Sequence, residues 1–162
     1  MAVESLKTRF EQLMSHPDYR EGEHWRWRDF KKGEKIIKCG EEDSDIYIIV
    51  EGCARVVGDV DLGSDKSIHP GVCDLSTGDF FGEIALFDQQ PRSATIEAVE
   101  ACKTIQVDGQ KLLKFLDNHP NLGYQLMQQL MRVMVDRLRN SNKKIFSLLA
   151  WGLKAHNIDT HL

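Results

Sequence analysis

Glu83 and Arg92 are ionisable residues set in a stretch otherwise suited to burial. From Gly78 to Ala98 the chain reads GDFFGEIALFDQQPRSATIEA. Glu83 precedes Ile84, Ala85, Leu86 and Phe87. Arg92 precedes Ser93, Ala94, Thr95 and Ile96, a run that reads as a half-buried strand. Phe81 to Phe87 is long enough for one short helical turn, and Gly82 permits close backbone approach at its start. The start of such a turn presents unpaired N–H groups that favour an anion. Arg92 adds a permanent cation with a planar donor fork suited to phosphate. Glu83 offers an acceptor to hydroxyl donors. A small ring with one anionic phosphate and one free ribose hydroxyl would use all three. The competing use is an Arg–Glu pair bracing a loop, although a buried pair of that kind contributes little net stability.

FGEIAL, four residues, then PRSAT closely resembles the phosphate-binding cassette of the cyclic-nucleotide-binding domain family. This is the domain of the catabolite activator protein and of protein kinase A regulatory subunits. The resemblance extends upstream through GEKIIKCGEEDSDIYIIVEGCARVV, where Gly33, Gly40 and Gly52 fall at the family's strand turns. It covers roughly residues 24–147. The resemblance implies a cyclic AMP or cyclic GMP ligand, with Arg92 on an equatorial phosphate oxygen. It also implies backbone N–H groups from Gly82 to Ala85 and the Ser93 hydroxyl around that phosphate, and Glu83 on the ribose 2′-hydroxyl. Ile49, Val50 and Ile84 are the expected apolar walls. Arg137 falls where a long C-terminal helix reaches the purine, and an arginine plane can stack on any base. Asp136 beside it could accept from guanine N1 and N2. Ser93 stands where cyclic GMP sites often have Thr, so cyclic AMP is the favoured nucleotide.

The elements that position these residues follow from patterning. Residues 3–15 form an amphipathic helix through Val3, Leu6, Phe10, Leu13 and Met14, ended by His16-Pro17. Tyr19 and Trp25 are placed to pack on the domain that follows. Trp25 and Trp27 alternate with charged residues, as in a one-sided strand. Short strands follow at Ile36–Ile37, Ile46–Val50, Ala54–Val57, Val72–Leu75, Ala94–Val99 and Cys102–Val107. Gly58 to Lys66 is a hairpin tip. This rhythm predicts a mainly β fold with flanking helices, an antiparallel β-roll or jelly roll. A short helix from Gly109 to Phe115 turns Leu112, Leu113 and Phe115 inward. Pro120 suits the first position of a long helix reaching about Leu149. Met127, Met131, Met134, Leu138, Ser141, Ile145 and Leu148 form a heptad seam on it, with Leu122, Leu126, Leu130 and Val133 on a neighbouring face. One face can pack on the roll while the seam meets a second chain, giving a homodimer. The resulting organisation is a helical segment at 1–23, the β-roll at 24–108, C-terminal helices at 109–149 and a tail at 150–162.

Composition sets the remaining bounds. With 41% hydrophobic and 28% charged residues and a net charge of −4, the chain is an ordinary soluble domain without overall basicity for nucleic acid. It has no apolar run of membrane-spanning length and no apolar signal core, which points to the cytoplasm. Residues 150–162 are too few for a helix-turn-helix, so the expectation is a sensor domain alone, signalling to an unidentified effector. Cys39, Cys53, Cys73 and Cys102 have no C-x-x-C spacing and are expected as buried free thiols. His69 and Cys73 flank Pro70-Gly71, which reads as a turn rather than a haem or metal site. Asp59 and Asp61 do not have EF-hand spacing. The histidines His16, His24, His69, His119, His156 and His161 include no H-x-H pair, against a cupin-like metal enzyme. The expectation is therefore a non-enzymatic binding module without metal. A ligand-free interaction module of the same fold is the main alternative.

Overall fold

The chain turns a run of short strands into two layers and closes one side with helices. The computed structural model describes residues 6–58, 60–61, 67–68 and 71–155. Helix α1 (Leu6–Met14) leads into β1 (Trp25–Phe30), β2 (Lys35–Ile37), β3 (Ile46–Glu51) and β4 (Cys53–Val57). A two-residue ribbon, β5 (Val60–Asp61) with β6 (Ser67–Ile68), occupies the hairpin tip. Then come β7 (Gly71–Ser76), β8 (Phe80–Phe81), α2 (Glu83–Asp88), β9 (Thr95–Ala98) and β10 (Cys102–Val107). Two helices end the described chain, α3 (Gly109–Asn118) and α4 (Pro120–Ala155). Two four-stranded sheets, ordered β1-β10-β3-β8 and β2-β9-β4-β7, pair antiparallel throughout. This is the jelly-roll architecture expected from the strand rhythm.

The apolar run of β3 explains how the layers join. Ile46 and Ile48 face a cluster with Phe10, Leu112, Leu126 and Leu130, so this side holds the helices to the roll. Tyr47 and Ile49 face a second cluster between the sheets with Ile37, Phe81 and Ile96. A strand covered on both faces reads as continuous hydrophobicity rather than alternation. Burial of its four residues from Ile46 to Ile49 stabilises the fold by roughly 1.5–3 kcal/mol per large side chain.

Helix α3 is started by Asp108, whose carboxylate accepts from the Lys111 N–H at 3.0 Å. His119 alone separates α3 from α4, and Pro120 opens α4. Leu126 and Leu130 of α4 are buried against the roll, with Leu122, Met127 and Val133 partly buried beside them. The seam face behaves differently: Met131, Leu138, Ile145 and Leu148 are exposed. The helix continues past the expected end near Leu149 to Ala155, through an exposed apolar set that includes Trp151. Gly152 does not stop it, because an isolated helical glycine costs only about 1 kcal/mol.

Three further expectations need correction. Trp27 is 42% exposed rather than facing the core, since β1 is an edge strand whose central residues lie outside. The Lys103 ammonium lies 4.8 Å from its ring centre, which covers one face. Of the four free thiols only Cys102 is buried; Cys39 and Cys73 are exposed and Cys53 is intermediate. Cys39 lies in a turn after β2, and Cys73 sits on the outer edge strand β7, so apolar neighbours in sequence did not mean burial. Strand β8, two residues ahead of α2, was not expected, because so short a strand has no periodicity. Asp59, His69 and Val3 lie outside the described residues.

Candidate functional site

Gly82 joins β8 to α2 and adopts a left-handed conformation, φ +91°. A Cβ there would lie 2.5 Å from the Asp45 carbonyl oxygen and 2.9 Å from Arg92 Nη1, so only glycine fits without displacement. It starts α2 without a side-chain cap, which leaves the first N–H groups of the helix unclaimed by any capping side chain. Ala85 and Leu86 hold the helix by their burial, while Ile84 and Phe87 are about half exposed.

Arg92 enters this corner from the turn before β9 and is 4% exposed. Its Nε donates to Asp43 Oδ2 at 3.2 Å, and Nη2 makes a short contact to Asp43 Oδ1. Nη1 donates to the Gly82 carbonyl at 2.8 Å and Nη2 to the Asp45 carbonyl at 2.7 Å. One Nη1 hydrogen remains of the five a guanidinium carries. Asp43 and Asp45 belong to the acidic turn before β3, and Asp45 is itself held by Gln106.

Glu83 is 3% exposed, and its Oε1 accepts from Arg137 Nη1 at 2.7 Å. Arg137 Nη2 also donates to the Phe80 carbonyl, and the guanidinium carbon lies 4.6 Å from the Phe80 ring centre. The second carboxylate oxygen of Glu83 retains acceptor capacity. Arg137 was expected beside a base; here it crosses to the cassette carboxylate. Asp136 is exposed and is not at the cavity.

These groups border one cavity of about 450 Å³. Gly82, Glu83, Ile84, Ala85, Arg92, Ser93 and Arg137 all line it, so the residues picked from sequence converge. That volume falls in the range of small-molecule sites. Its apolar walls differ from expectation. Ile49 and Val50 are absent from the lining, because β3 lies in the other sheet with Ile49 fully covered. Ile37, Val56, Leu75 and Ile96 of the sheet β2-β9-β4-β7 take their place. Met134, Leu138 and Ser141 of α4 face them from the opposite side. Lys144 Nζ donates to the Val72 carbonyl at 3.0 Å and ties α4 to β7 across this side. Behind the wall, Tyr47 stacks on Phe81 with ring centres 5.3 Å apart. Burial, reinforced by Asp45 and Asp43, pushes its hydroxyl up to about 12.

Asp43 is the main participant that sequence reasoning missed. Its signal is the run Glu41, Glu42, Asp43, Ser44, Asp45, but four carboxylates within five residues do not reveal which one meets Arg92.

The model of the cyclic nucleotide-binding domain matches residues 27–119, more than half of the chain. The chain belongs to that family. The cyclic nucleotide-binding domain described here resembles the cAMP-dependent protein kinase regulatory subunit of Dictyostelium discoideum, with 36% identity over 83 residues, 51% of this chain and 25% of the relative. It is 25% identical over 121 residues to the CRP-like cAMP-activated global transcriptional regulator of Mycobacterium tuberculosis, covering 75% of this chain and 50% of that protein. The chain thus spans a quarter to a half of the length of these curated relatives. In structure it is similar to a cyclic nucleotide-binding domain from Methylobacillus flagellatus KT, with a TM-score of 0.68 and 20% identity, covering 76% of this chain and 67% of that one. No helix among the described residues is long and apolar enough to cross a membrane.

Proposed function

We propose that this domain is a regulatory module that binds a cyclic nucleotide in the cavity between α2, the sheet β2-β9-β4-β7 and α4. The observation that carries the reading is the convergence of Arg92, Glu83 and the uncapped start of α2 on one side of a 450 Å³ cavity. The remaining Nη1 hydrogen of Arg92, the α2 N–H groups and the Ser93 hydroxyl would hold the cyclic phosphate. The second oxygen of Glu83 would accept the ribose 2′-hydroxyl. A deoxy ligand would leave that buried acceptor unmatched. Cyclic AMP is the favoured nucleotide, and the names of both curated relatives, each carrying cAMP, support that choice.

The output would run through α4. The exposed Met131, Ile145 and Leu148 of its seam support a parallel homodimer, and Arg137 links that helix to Glu83 of the cassette. A nucleotide that competes for Glu83 would favour one arrangement of α4 over another, which is the differential contact a population shift requires. In this reading the β-roll of 24–108 senses and the helices of 109–149 transmit to an effector protein in the cytoplasm. The role is binding rather than catalysis.

One observation favours a second reading. Arg92 and Glu83 already have protein partners, Asp43 and Arg137, as they would in an interaction module that needs no nucleotide. Native mass spectrometry with and without cyclic AMP separates the two. One nucleotide per chain, followed by a competition titration in which cyclic AMP outcompetes cyclic GMP, is the expected result. No retained nucleotide at concentrations far above micromolar would favour the ligand-free module.

A further inference from the structure

His16, Asp18 and His119 lie away from the cavity, at the corner where the loop after α1 meets the junction of α3 and α4. One ligand-type atom from each lies within 4.8 Å of the other two. We propose that this triad is a binding site for a divalent transition-metal ion of the zinc class. The expectation from sequence was no metal. Ligand spacing along the chain could not reveal this set, because His119 reaches the other two only through the helix packing.

Imidazole and carboxylate donors suit zinc, with bonds of about 2.0–2.2 Å and tetrahedral geometry. Such a centre sets its donor atoms roughly 3.4 Å apart. His16 Nδ1 already lies 4.0 Å from Asp18 Oδ2. Asp18 is 67% exposed at its side chain, so it can close the difference by changing rotamer alone. The rings are similarly placed. Two imidazoles on one tetrahedral metal have centres roughly 5 Å apart, and those of His16 and His119 are 4.7 Å apart.

The surroundings fix the nitrogens that such a site needs. His119 Nδ1 lies 2.9 Å from the Phe115 carbonyl oxygen. A carbonyl only accepts, so neutral His119 carries its proton on Nδ1 and its lone pair on Nε2. Metal-binding histidines are commonly oriented by this kind of second hydrogen bond. His16 Nδ1 accepts from the Asp18 backbone N–H at 3.2 Å, which directs its lone pair toward the Asp18 side. A metal would replace that long hydrogen bond.

The frame around the triad is firm. His119 stacks on Phe115 at 4.1 Å and 17°. His16 meets the edge of Phe115 at 5.1 Å. Tyr19, 1% exposed, packs on Phe115 and donates its N–H to the His16 carbonyl at 2.9 Å, anchoring the loop. None of the three residues lines the large cavity, so the ion would act as a clamp between the α1 loop and the start of α4. With three protein donors, a water molecule would take the remaining position.

The test titrates the metal-free full chain with Co²⁺ and then Zn²⁺. One equivalent per chain should bind, with tetrahedral cobalt bands in the visible and a zinc-dependent rise in the thermal midpoint. Asp18→Asn and His119→Gln should each weaken binding by about tenfold or more. Asp18→Asn carries little folding risk, given its exposure. Cys39→Ser and Cys73→Ser should leave affinity unchanged, which separates the triad from adventitious binding at the exposed thiols. Absence of saturable one-to-one binding, unchanged affinity in both ligand variants, or loss of binding in a cysteine variant would each overturn the proposal.

Discussion

Glu83 and Arg137 pair across 54 residues of chain, Nη1 donating to Oε1 at 2.7 Å, and the pair joins the first turn of α2 to the middle of α4. Only the carboxylate is deeply buried; the arginine side chain keeps 31% exposure. Truncating the arginine should therefore leave a nearly covered charge without its cation. Arg137→Met is expected to cost about 1–3 kcal/mol in urea unfolding. Glu83→Gln with Arg137→Met should recover most of it. A double variant less stable than Arg137→Met alone would contradict the pairing as the cause.

Under the proposed function, Glu83 should also separate ligands. Glu83→Ala should weaken cyclic AMP but affect 2′-deoxy cyclic AMP much less, because only the former presents the hydroxyl. Isothermal titration of both nucleotides checks this. Equal losses would remove the ribose role.

Arg92→Ala should reduce cyclic AMP affinity by roughly a hundredfold or more, about 3 kcal/mol, because the cyclic phosphate must leave water with a charged partner. Calorimetry with wild type and variant measures it. Near-wild-type binding would sink the phosphate assignment.

The cassette was legible because residue type and spacing agree there: a glycine that only glycine can replace, a carboxylate next to it, and an arginine before a half-buried strand. The strand rhythm and the long helix were legible for similar local reasons. What failed was anything set by which layer a strand joins. Ile49 and Val50 sit in an apolar run with no parity, so nothing in the run tells which side meets the cavity. Ile37 and Ile96, in shorter strands of the other sheet, form the wall instead. Asp43 was hidden among equivalent carboxylates. Arg137 lies on α4 and lines the cavity, but its partner is a carboxylate 54 residues away, a contact made only by tertiary packing.

The α4 seam predicts assembly state. Ile145→Glu with Leu148→Glu, two exposed seam positions outside the cavity lining, should give a monomer in sedimentation velocity, since charges at successive seam positions cannot be desolvated together. A surviving dimer would refute the seam. A monomer with unchanged cyclic AMP affinity would keep the seam and remove its coupling to the cavity.

Alkaline pH offers a check on the core beside the cavity. Burial, then Asp45 and Asp43, push the Tyr47 hydroxyl up to about 12, against an ordinary value near 10. The folded state holds this proton more tightly than the unfolded chain. Its contribution to stability is complete below pH of about 10 and is lost as pH rises toward about 12. Thermal midpoints over that range should fall less steeply in Tyr47→Phe. Some slope should persist, because burial also raises the Tyr19 and Cys102 groups. Superimposable profiles would contradict the Tyr47 contribution.

The 36 residues of α4 also have a mechanical consequence. Leu130 is the last buried residue of α4, and the helix runs 25 residues beyond it to Ala155, roughly 38 Å at 1.5 Å per residue. Arg137 lies seven residues beyond Leu130, roughly 10 Å along the same axis. With Leu130 as fulcrum and the helix rigid, a sideways shift of about 1 Å at Arg137 becomes about 3.5 Å at Ala155. The Lys144 contact to Val72 lies between the two points and acts as a brake on that arm. If α4 carries the output, fulcrum, input, brake and the far end at Ala155 would succeed one another along a single helix, a gearing that would magnify a rearrangement of about 1 Å beside Glu83 into a displacement large enough for a neighbouring molecule to register.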